Sequence, residues 1–395
     1  MHLYLHVPFC ARRCSYCDFA IAVRKRIPSR AYADAVLLEW QQWNRRSDAH
    51  DMTGPAVDTL YFGGGTPSLL EPDELARIVE GLTSRHPLAP GAEVTLEANP
   101  DDVTPARAAA WRRAGIGRVS LGVQSFDPAV LTWMHRTHRA EQVAPAVEAL
   151  RGAGIGQVSL DLIFAMPAEV PRDWARDLEQ ALALAPDHLS LYGLTVEDHT
   201  PLARWVSRRQ VRAAEDDRYA AEFLAAHSAL SGAGFEHYEV SNYALPGRRA
   251  RHNSAYWRRA TYIGLGPSAH SAFERERRWN VREWAEYERA LTAGESVVGG
   301  REVLDDAALR LEEIYLGLRT ADGLPADRLP APVVASWVDA GWALSTSPTT
   351  REGEPPRSSS PPGPLSTFVE RGSSSRIRLT AEGWLRLDAL VAMVS

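Results

Sequence analysis

All three cysteines of this 395-residue chain, Cys10, Cys14 and Cys17, lie in one stretch of eight residues. An odd number of thiols at this spacing does not form a disulfide framework. Three thiolates can hold an iron–sulfur cluster, and a cluster of four irons then keeps one iron open to another ligand. Two alternatives stay open: inert buried thiols, and a zinc site completed by His2 and His6. The cluster is favoured, because every cysteine of the chain lies in this one loop and no fourth cysteine follows to complete a structural zinc site.

Polar residues and glycines also recur where hydrophobic runs of strand length end. They are the Gly-Gly-Gly-Thr-Pro run at 63–67, Glu97, Asn99, Gln124, Ser125, Asp161, Thr195 and Glu197. The glycine run contains no lysine, so it suits close backbone approach to a small polar ligand better than phosphate binding. We expect these strand ends to carry the functional residues.

Alternating strands and helices position these residues. Strands are predicted at 3–7, 57–62, 93–98, 118–123, 157–163 and 188–194, and helices at 29–46, 72–85, 104–114, 140–152 and 171–184. Six successive strand–helix units predict an α/β fold whose parallel sheet curls into an incomplete barrel. A doubly wound open sheet is the competing topology. In both, functional residues lie at the carboxyl ends of the strands.

The pattern changes after about residue 200. We expect the partial barrel in 1–200, a barrel extension in 201–304 with helices at 213–231 and 283–293, and a mostly helical C-terminal module in 305–395. Inside that module, 345–376 is crowded with Ser, Pro, Thr, Gly and Arg. Such a composition does not bury enough apolar surface to order itself, so a flexible insertion without chemistry is expected.

Composition excludes several classes of function. The net charge of −6 argues against a non-specific nucleic-acid binder. The sequence contains no run of eighteen apolar residues, so no membrane-spanning helix is expected. No secretory signal is evident, and a reducing, cytoplasmic location is expected. Lys25 is the only lysine, which leaves almost no place for Schiff-base chemistry.

The loop from Cys10 to Cys17 has the CxxxCxxC spacing of the radical S-adenosylmethionine superfamily. Further stretches resemble the family of oxygen-independent coproporphyrinogen oxidase-like proteins, which also includes heme chaperones. These stretches are Tyr4-Leu-His-Val-Pro-Phe-Cys10, Phe62-Gly-Gly-Gly-Thr-Pro67, Glu97-Ala-Asn-Pro100, Ser120-Leu-Gly-Val-Gln-Ser-Phe126, Arg136-Thr-His138, Asp161-Leu-Ile163, Tyr238-Glu-Val-Ser-Asn-Tyr243 and His252-Asn-Ser-Ala-Tyr-Trp257.

The resemblance implies a partial (β/α)6 radical S-adenosylmethionine barrel followed by a winged-helix-like module. It also implies a [4Fe–4S] cluster whose open iron binds S-adenosylmethionine, which an electron from a low-potential donor cleaves to a 5′-deoxyadenosyl radical. The implied residues are Cys10, Cys14 and Cys17 on the cluster; Tyr4 and Tyr16 beside it; Gly64, Gly65 and Thr66 at the methionine end; Glu97 on the ribose; and Gln124, Arg136 and Asp161 deeper in the barrel. For Arg136 and Asp161, a structural ion pair is the alternative.

One departure from the oxidases of that family favours its chaperone branch. Those oxidases carry a further cysteine two residues after the third, where this chain has Phe19. The preferred function is therefore a chaperone that binds heme and transfers it to acceptor hemoproteins. The alternative is an oxidase that converts coproporphyrinogen III to protoporphyrinogen IX by radical decarboxylation.

The HNxxYW stretch resembles a heme-associated motif of the chaperone branch. His252 is accordingly the expected heme ligand, because no cysteine lies outside the cluster loop and because Tyr256 and Trp257 offer flat apolar faces. The alternative is that Tyr256 and Trp257 pack between domains.

Overall fold

The computed structural model describes residues 1–46, 55–346 and 375–394. The chain divides into two compact units, Met1–Asp305 and Asp306–Ser395. Most of the expected insertion at 345–376 falls outside the described residues. Its two ends do not: Ser345 and Thr346 finish one strand, and Arg376 begins the strand that pairs with it.

Six parallel strands form the centre of unit 1. Within the described residues its strands are β1 (His2–Val7), β2 (Phe9–Cys10), β3 (Ala22–Val23), β4 (Val57–Gly64), β5 (Leu88–Ala98), β6 (Arg118–Gln124), β7 (Gln157–Phe164), β8 (His188–Gly193), β9 (Glu236–Glu239), β10 (Asn242–Ala244), β11 (Tyr262–Leu265), β12 (His270–Phe273), β13 (Glu276–Asn280) and β14 (Val298–Val303). Strands β1, β4, β5, β6, β7 and β8 lie side by side in that order, and every neighbouring pair is parallel.

Helices connect these strands. They are α1 (Ser29–Arg46), α2 (Pro72–Thr83), α3 (Pro105–Arg113), α4 (Pro128–Trp133), α5 (Val143–Gly152), α6 (Trp174–Ala183), α7 (Pro201–Ser207), α8 (Asp216–Gly232), α9 (Arg251–Trp257) and α10 (Trp284–Thr292), with 3-10 turns at Pro67–Leu69, Pro100–Asp102 and Ala140–Gln142. Local sequence explains several starts: the side chains of Thr104 and Asp127 each accept a backbone N–H of the first turn, and a proline follows each.

The strand order decides between the two expected topologies. Each new parallel strand adds to the same side of the preceding one, whereas a doubly wound sheet reverses direction at a switch point. The incomplete (β/α)6 barrel is therefore confirmed. The strands agree with the predicted ranges to within two residues, except that β5 begins at Leu88, where Pro90 and Gly91 hide the strand pattern.

Residues 201–304 contribute strands to both edges of the barrel sheet. Strand β11 pairs parallel with β1 and leads into the antiparallel strands β12, β13 and β14. On the other edge, β10 pairs antiparallel with β8 and β9. These strands were not predicted from the sequence, because they are only three to six residues long and because β9 and β13 are rich in charged residues.

Unit 2 combines helices with a small sheet. Its described elements are α11 (Asp306–Leu318), β15 (Leu324–Pro325), α12 (Ala331–Asp339), β16 (Ala343–Thr346), β17 (Arg376–Leu379), α13 (Ala381–Trp384) and α14 (Leu387–Ala392), with a 3-10 turn at Ala326–Arg328. The strands pair in the antiparallel order β15-β17-β16. Trp337 and Leu318 are fully buried at its core, and the indole N–H of Trp384 donates to the carbonyl of Leu318 at 3.0 Å. Across the described parts of both units, no helix is long and apolar enough to cross a membrane.

Candidate cofactor site at the strand ends

The carboxyl ends of the parallel strands surround a cavity of about 360 Å³. Eleven of the thirteen residues predicted to bind cofactors or metal line it: Cys10, Cys14, Cys17, Tyr16, Gly64, Gly65, Thr66, Glu97, Gln124, Arg136 and Asp161. The remaining two, Tyr4 and His252, are not among its lining residues. The structure thus brings together residues from five strand ends, as expected for a barrel whose functional groups follow its strands.

Backbone hydrogen bonds brace the loop that carries the three cysteines. The short strands β2 and β3 pair in parallel at its base, and the N–H of Arg24 donates to the carbonyl of Cys10 at 2.9 Å. Midway along the loop, Ser15 donates to the carbonyl of Met134 and accepts from the N–H of Leu202. The loop is therefore fixed to the barrel at its base and at its centre.

All three thiols are free, with Cys10 buried and the other two half-buried. Burial raises the pKa of Cys10, and it raises the pKa of Cys17 to about 11. The hydroxyl of Thr66 donates to Sγ of Cys10 and the guanidinium of Arg136 donates to Sγ of Cys14, each at 3.5 Å. Both contacts stabilise a thiolate, which is the form that ligates iron.

Two glycines at the end of β4 let backbone and ligand approach closely. Gly64 has φ 111°, in the region that favours glycine, and its N–H donates to Oε2 of Glu97 at 3.1 Å. A Cβ on Gly65 would lie 2.7 Å from the carbonyl oxygen of Phe9 and 3.0 Å from Sγ of Cys10. The glycine run therefore places bare backbone directly against the cysteine loop. Gly64 and Gly65 line the cavity on this side, which is called the glycine wall.

Glu97 is the titratable group at the centre of this wall. The hydroxyl of Tyr61 donates to its Oε1 at 2.7 Å, and Gly64 donates to its other oxygen. Burial raises the pKa of Glu97 to about 7, with a further upward contribution from Asp161, while these two hydrogen bonds act in the opposite direction. A carboxylate here can accept additional hydrogen bonds from a ligand in the cavity.

Arg136 connects the cysteine loop to the interior of the barrel. Its Nη2 donates to Oδ1 of Asn99 at 2.5 Å and to the carbonyl of Gly122 at 2.7 Å, while Nη1 reaches Cys14. Its buried Nε has no hydrogen-bond partner among the described residues. An unpaired buried donor is costly, so this nitrogen is a candidate contact for a bound anionic group.

Asp161 has partners of its own. The hydroxyl of Ser120 donates to both of its carboxylate oxygens, at 2.9 and 3.0 Å. Among the described residues, Asp161 and Arg136 do not form a direct ion pair, and Arg136 donates instead to Asn99 and Gly122. Burial raises the pKa of Asp161, and hydrogen bonds from Ser190 and Ser120 oppose that rise. Gln124, next along the wall, has φ 66° and sits at a bulge where β6 pairs with β7.

Asn99, which the sequence places at a strand end, also lines the cavity, as do three residues that were not predicted: Ser120, His135 and Tyr192. Ser120 lies inside one of the stretches quoted above, but nothing in its spacing distinguishes it from a packed strand residue. His135 and Tyr192 gave no sequence signal, because their exposure at the cavity depends on the loops around it.

Tyr4 lies behind the glycine wall rather than in the cavity. Its ring stacks against those of Tyr61 and His252, with centroids 6.0 and 6.3 Å apart, and its hydroxyl contacts Nδ1 of His6 at 3.2 Å. Its ring would be 3.0 Å from a Cβ on Gly63. Tyr4 therefore supports the wall from behind.

His252 is the second residue of a short helix, α9, at the opposite, amino-terminal end of the barrel. Its side chain is 1% exposed; Nδ1 contacts Oγ1 of Thr59 and Nε2 contacts the hydroxyl of Tyr256, each at 2.7 Å. Its N–H and that of Arg251 both donate to the carboxylate of Glu93, which stabilises the helix start. The expected heme ligand thus has no free ring nitrogen in this structure, and the structure does not bring it to the cavity.

The histidines of the zinc alternative are also engaged elsewhere. His2 pairs with Thr59 at the start of β1, whereas Cys10 follows the end of that strand. Both ring nitrogens of His6 have partners, the hydroxyl of Tyr4 and the carbonyl of Ala20. A zinc site that combines these histidines with the cysteines requires a different local structure.

This chain is similar to known proteins. The radical SAM superfamily model matches residues 4–181. The heme chaperone HemW of Mycobacterium tuberculosis is 40% identical over 333 residues, 83% of this chain and 84% of that protein. The chain belongs to the HemW family of radical SAM proteins.

Two further relatives come from a bacterium and from cattle. The heme chaperone HemW of Escherichia coli K12 is 38% identical over 271 residues, 68% of this chain and 69% of that protein. The mitochondrial radical S-adenosyl methionine domain-containing protein 1 of Bos taurus is 34% identical over 330 residues, 82% and 74% of the two chains.

A solved structure shares the architecture. Coproporphyrinogen III oxidase (HemN) of Escherichia coli superposes with a TM-score of 0.76 over 99% of this chain and 88% of that chain. At 19% identity, this likeness shows the fold alone.

Proposed function

We propose that this chain is a heme chaperone that carries a [4Fe–4S] cluster on Cys10, Cys14 and Cys17 and binds S-adenosylmethionine exchangeably. The observation that carries the proposal is the 40% identity to a heme chaperone across 84% of that protein. The cavity at the strand ends supports it, because all three thiols line that cavity beside the glycine wall.

The residues present fit a cluster with an open position. The three thiols are free and close in sequence, and Thr66 and Arg136 donate to two of the sulfurs. When bound, a cluster of this kind and S-adenosylmethionine supply an electron and reductive cleavage of the sulfonium. The chain itself contributes the thiolates and the hydrogen bonds that stabilise them.

Several groups that line the cavity are also complementary to S-adenosylmethionine. The backbone of Gly64 and Gly65 and the hydroxyl of Thr66 suit its amino and carboxylate groups, and Tyr16 lines the same part of the cavity. Glu97 accepts hydrogen bonds from the ribose hydroxyls. Gln124, Arg136 and Asp161 form the deeper polar surface, where Arg136 has a buried Nε to offer.

In this proposal, the chain binds heme and transfers it to acceptor hemoproteins in the cytoplasm. A low-potential electron donor reduces the cluster. The test is an anaerobic titration of the reconstituted protein with hemin, followed by transfer to a heme-free b-type cytochrome. We expect about one heme per chain and transfer that requires the chaperone–heme complex. Absence of saturable heme binding would overturn the proposal.

A further inference from the structure

One histidine lines the cavity at the strand ends, among the residues that the structure describes. His135 follows α4 directly, in the position where helices end in the left-handed conformation, with φ 59°. The N–H of His135 donates to the carbonyl of Thr132, and that of Arg136 donates to the carbonyl of Leu131. The turn therefore holds the imidazole at the cavity while Arg136 points into it.

The imidazole of His135 is available to a ligand. Neither ring nitrogen has a hydrogen-bond partner within the described residues; its ring contact is with the edge of Trp205, 5.6 Å between centroids. Burial and the nearby charge of Arg12 lower the pKa of His135, which favours the neutral imidazole that binds metals. These properties contrast with His252, whose two nitrogens are both engaged, and with His138, whose Nε2 contacts the carbonyl of Val123.

The surroundings of His135 suit a flat apolar molecule that carries carboxylates. Phe19 and Tyr192 also line the cavity and are 56% and 44% exposed, which is unusual for large aromatic side chains. Arg12 lines the same opening, is exposed and has no ion-pair partner in the described part of the chain. An arginine in this position can bind a carboxylate through two parallel hydrogen bonds.

We propose that His135 is the axial ligand through which this chain holds heme iron at the opening of the cluster cavity. Phe19 and Tyr192 contact the porphyrin faces, and Arg12 binds a propionate. The inference rests on the proposed heme-chaperone function and deepens it by naming the ligand. It places the cargo beside the cysteine loop rather than at the amino-terminal end of the barrel, where His252 lies.

The test is hemin titration of the reconstituted protein and of His135→Gly, followed by absorbance in the Soret region. Glycine suits φ 59°, so this variant keeps the backbone turn. We expect heme affinity to fall about tenfold or more, with a shifted Soret band. Added imidazole should restore the original spectrum, since it refills the lost coordination position; a merely structural role would not give this rescue. The iron–sulfur absorbance should not change.

His199→Gly is the matched control. His199 is likewise a left-handed non-glycine residue, with φ 64°, but it is exposed and is not among the residues lining the cavity. The heme spectrum of His199→Gly should equal that of the unaltered protein. If the unaltered protein does not bind heme, the chaperone function fails. If it binds heme and His135→Gly gives the same affinity and spectrum, only the ligand assignment fails.

Discussion

At the residue scale, the proposed cluster depends on three thiols that have no replacement in the chain. Each lines the same cavity, and two accept hydrogen bonds that favour the thiolate. Because each thiolate of a cubane binds a different iron, the loss of one thiolate would leave a second iron without a protein ligand. The consequence is that single substitutions should act on iron retention rather than on folding.

Replacement of Cys14 by serine should remove the cluster. Anaerobically reconstituted protein should contain about four irons and four sulfides per chain, and Cys14→Ser well under one of each. The measurement is iron and sulfide analysis, with circular dichroism as the check on folding. Ser15→Ala is the control, because the neighbouring hydroxyl is buried without a partner in the described residues. Full iron content in Cys14→Ser would contradict the cluster assignment.

Glu97 gives the site a predicted pH dependence. Its pKa is raised to about 7, so the carboxylate that accepts hydrogen bonds is lost as the pH falls through that value. Affinity for S-adenosylmethionine should therefore weaken from pH 8 to pH 6. Glu97→Gln should bind about tenfold more weakly at pH 8 and lose most of this dependence, since hydrogen bonds to a charged group are the stronger ones. Equilibrium dialysis at both pH values is the measurement; parallel pH profiles for the two proteins would contradict the role.

At the element scale, the end of β4 packs closely against the cysteine loop. The N–H of Gly65 donates to the carbonyl of Val7 at 2.7 Å, so the end of β4 packs against the end of β1. A methyl group at this point meets backbone atoms, which cannot rotate away as a flexible side chain can. The geometry of the cysteine loop therefore depends on the absence of a side chain at Gly65.

Gly65→Ala should displace the loop and weaken the cluster site. The added Cβ lies 2.7 Å from the carbonyl oxygen of Phe9 and 2.9 Å from the carbonyl carbon of Pro8, and such overpacking costs about 1–3 kcal/mol. We expect lower iron retention and a lower unfolding midpoint in urea. Gly117→Ala is the matched control, because a Cβ there has no atom within 4 Å. Equal iron content in both variants would show that the loop tolerates the added atom.

At the scale of the whole molecule, the repeating strand–helix units were readable from the sequence, because each strand is an apolar run followed by a polar residue. The flanking strands β9–β14 and helix α9 were not. Helix α9 contains Arg251, Asn253 and Ser254 in seven residues and has no apolar stripe. Its position is decided by long-range contacts of His252 with Thr59 and Glu93, which no local pattern reveals.

The candidate site likewise combines residues that could be predicted from the sequence with residues that could not. Residues in the carboxyl-terminal half of a strand, such as Glu97 and Asp161, were predictable because parallel strands end at one edge of a sheet. His135 was not, because it faces the cavity only through the turn after α4 and its packing against Trp205. The motif around His252 was recognised, but sequence resemblance could not show that its histidine is enclosed by Thr59 and Tyr256.

The fold does not decide between the chaperone and the oxidase function, because the oxidase HemN has the same fold. Anaerobic protein with S-adenosylmethionine and a low-potential reductant should not convert coproporphyrinogen III to protoporphyrinogen IX over repeated turnovers. The reason lies in the opening of the cavity, where the chain has the exposed ring of Phe19 at the position of the oxidases' further cysteine. Product analysis by chromatography is the measurement, with the Escherichia coli oxidase assayed alongside as the positive control. Sustained formation of the vinyl product would assign this chain to the oxidase function, whatever its affinity for heme.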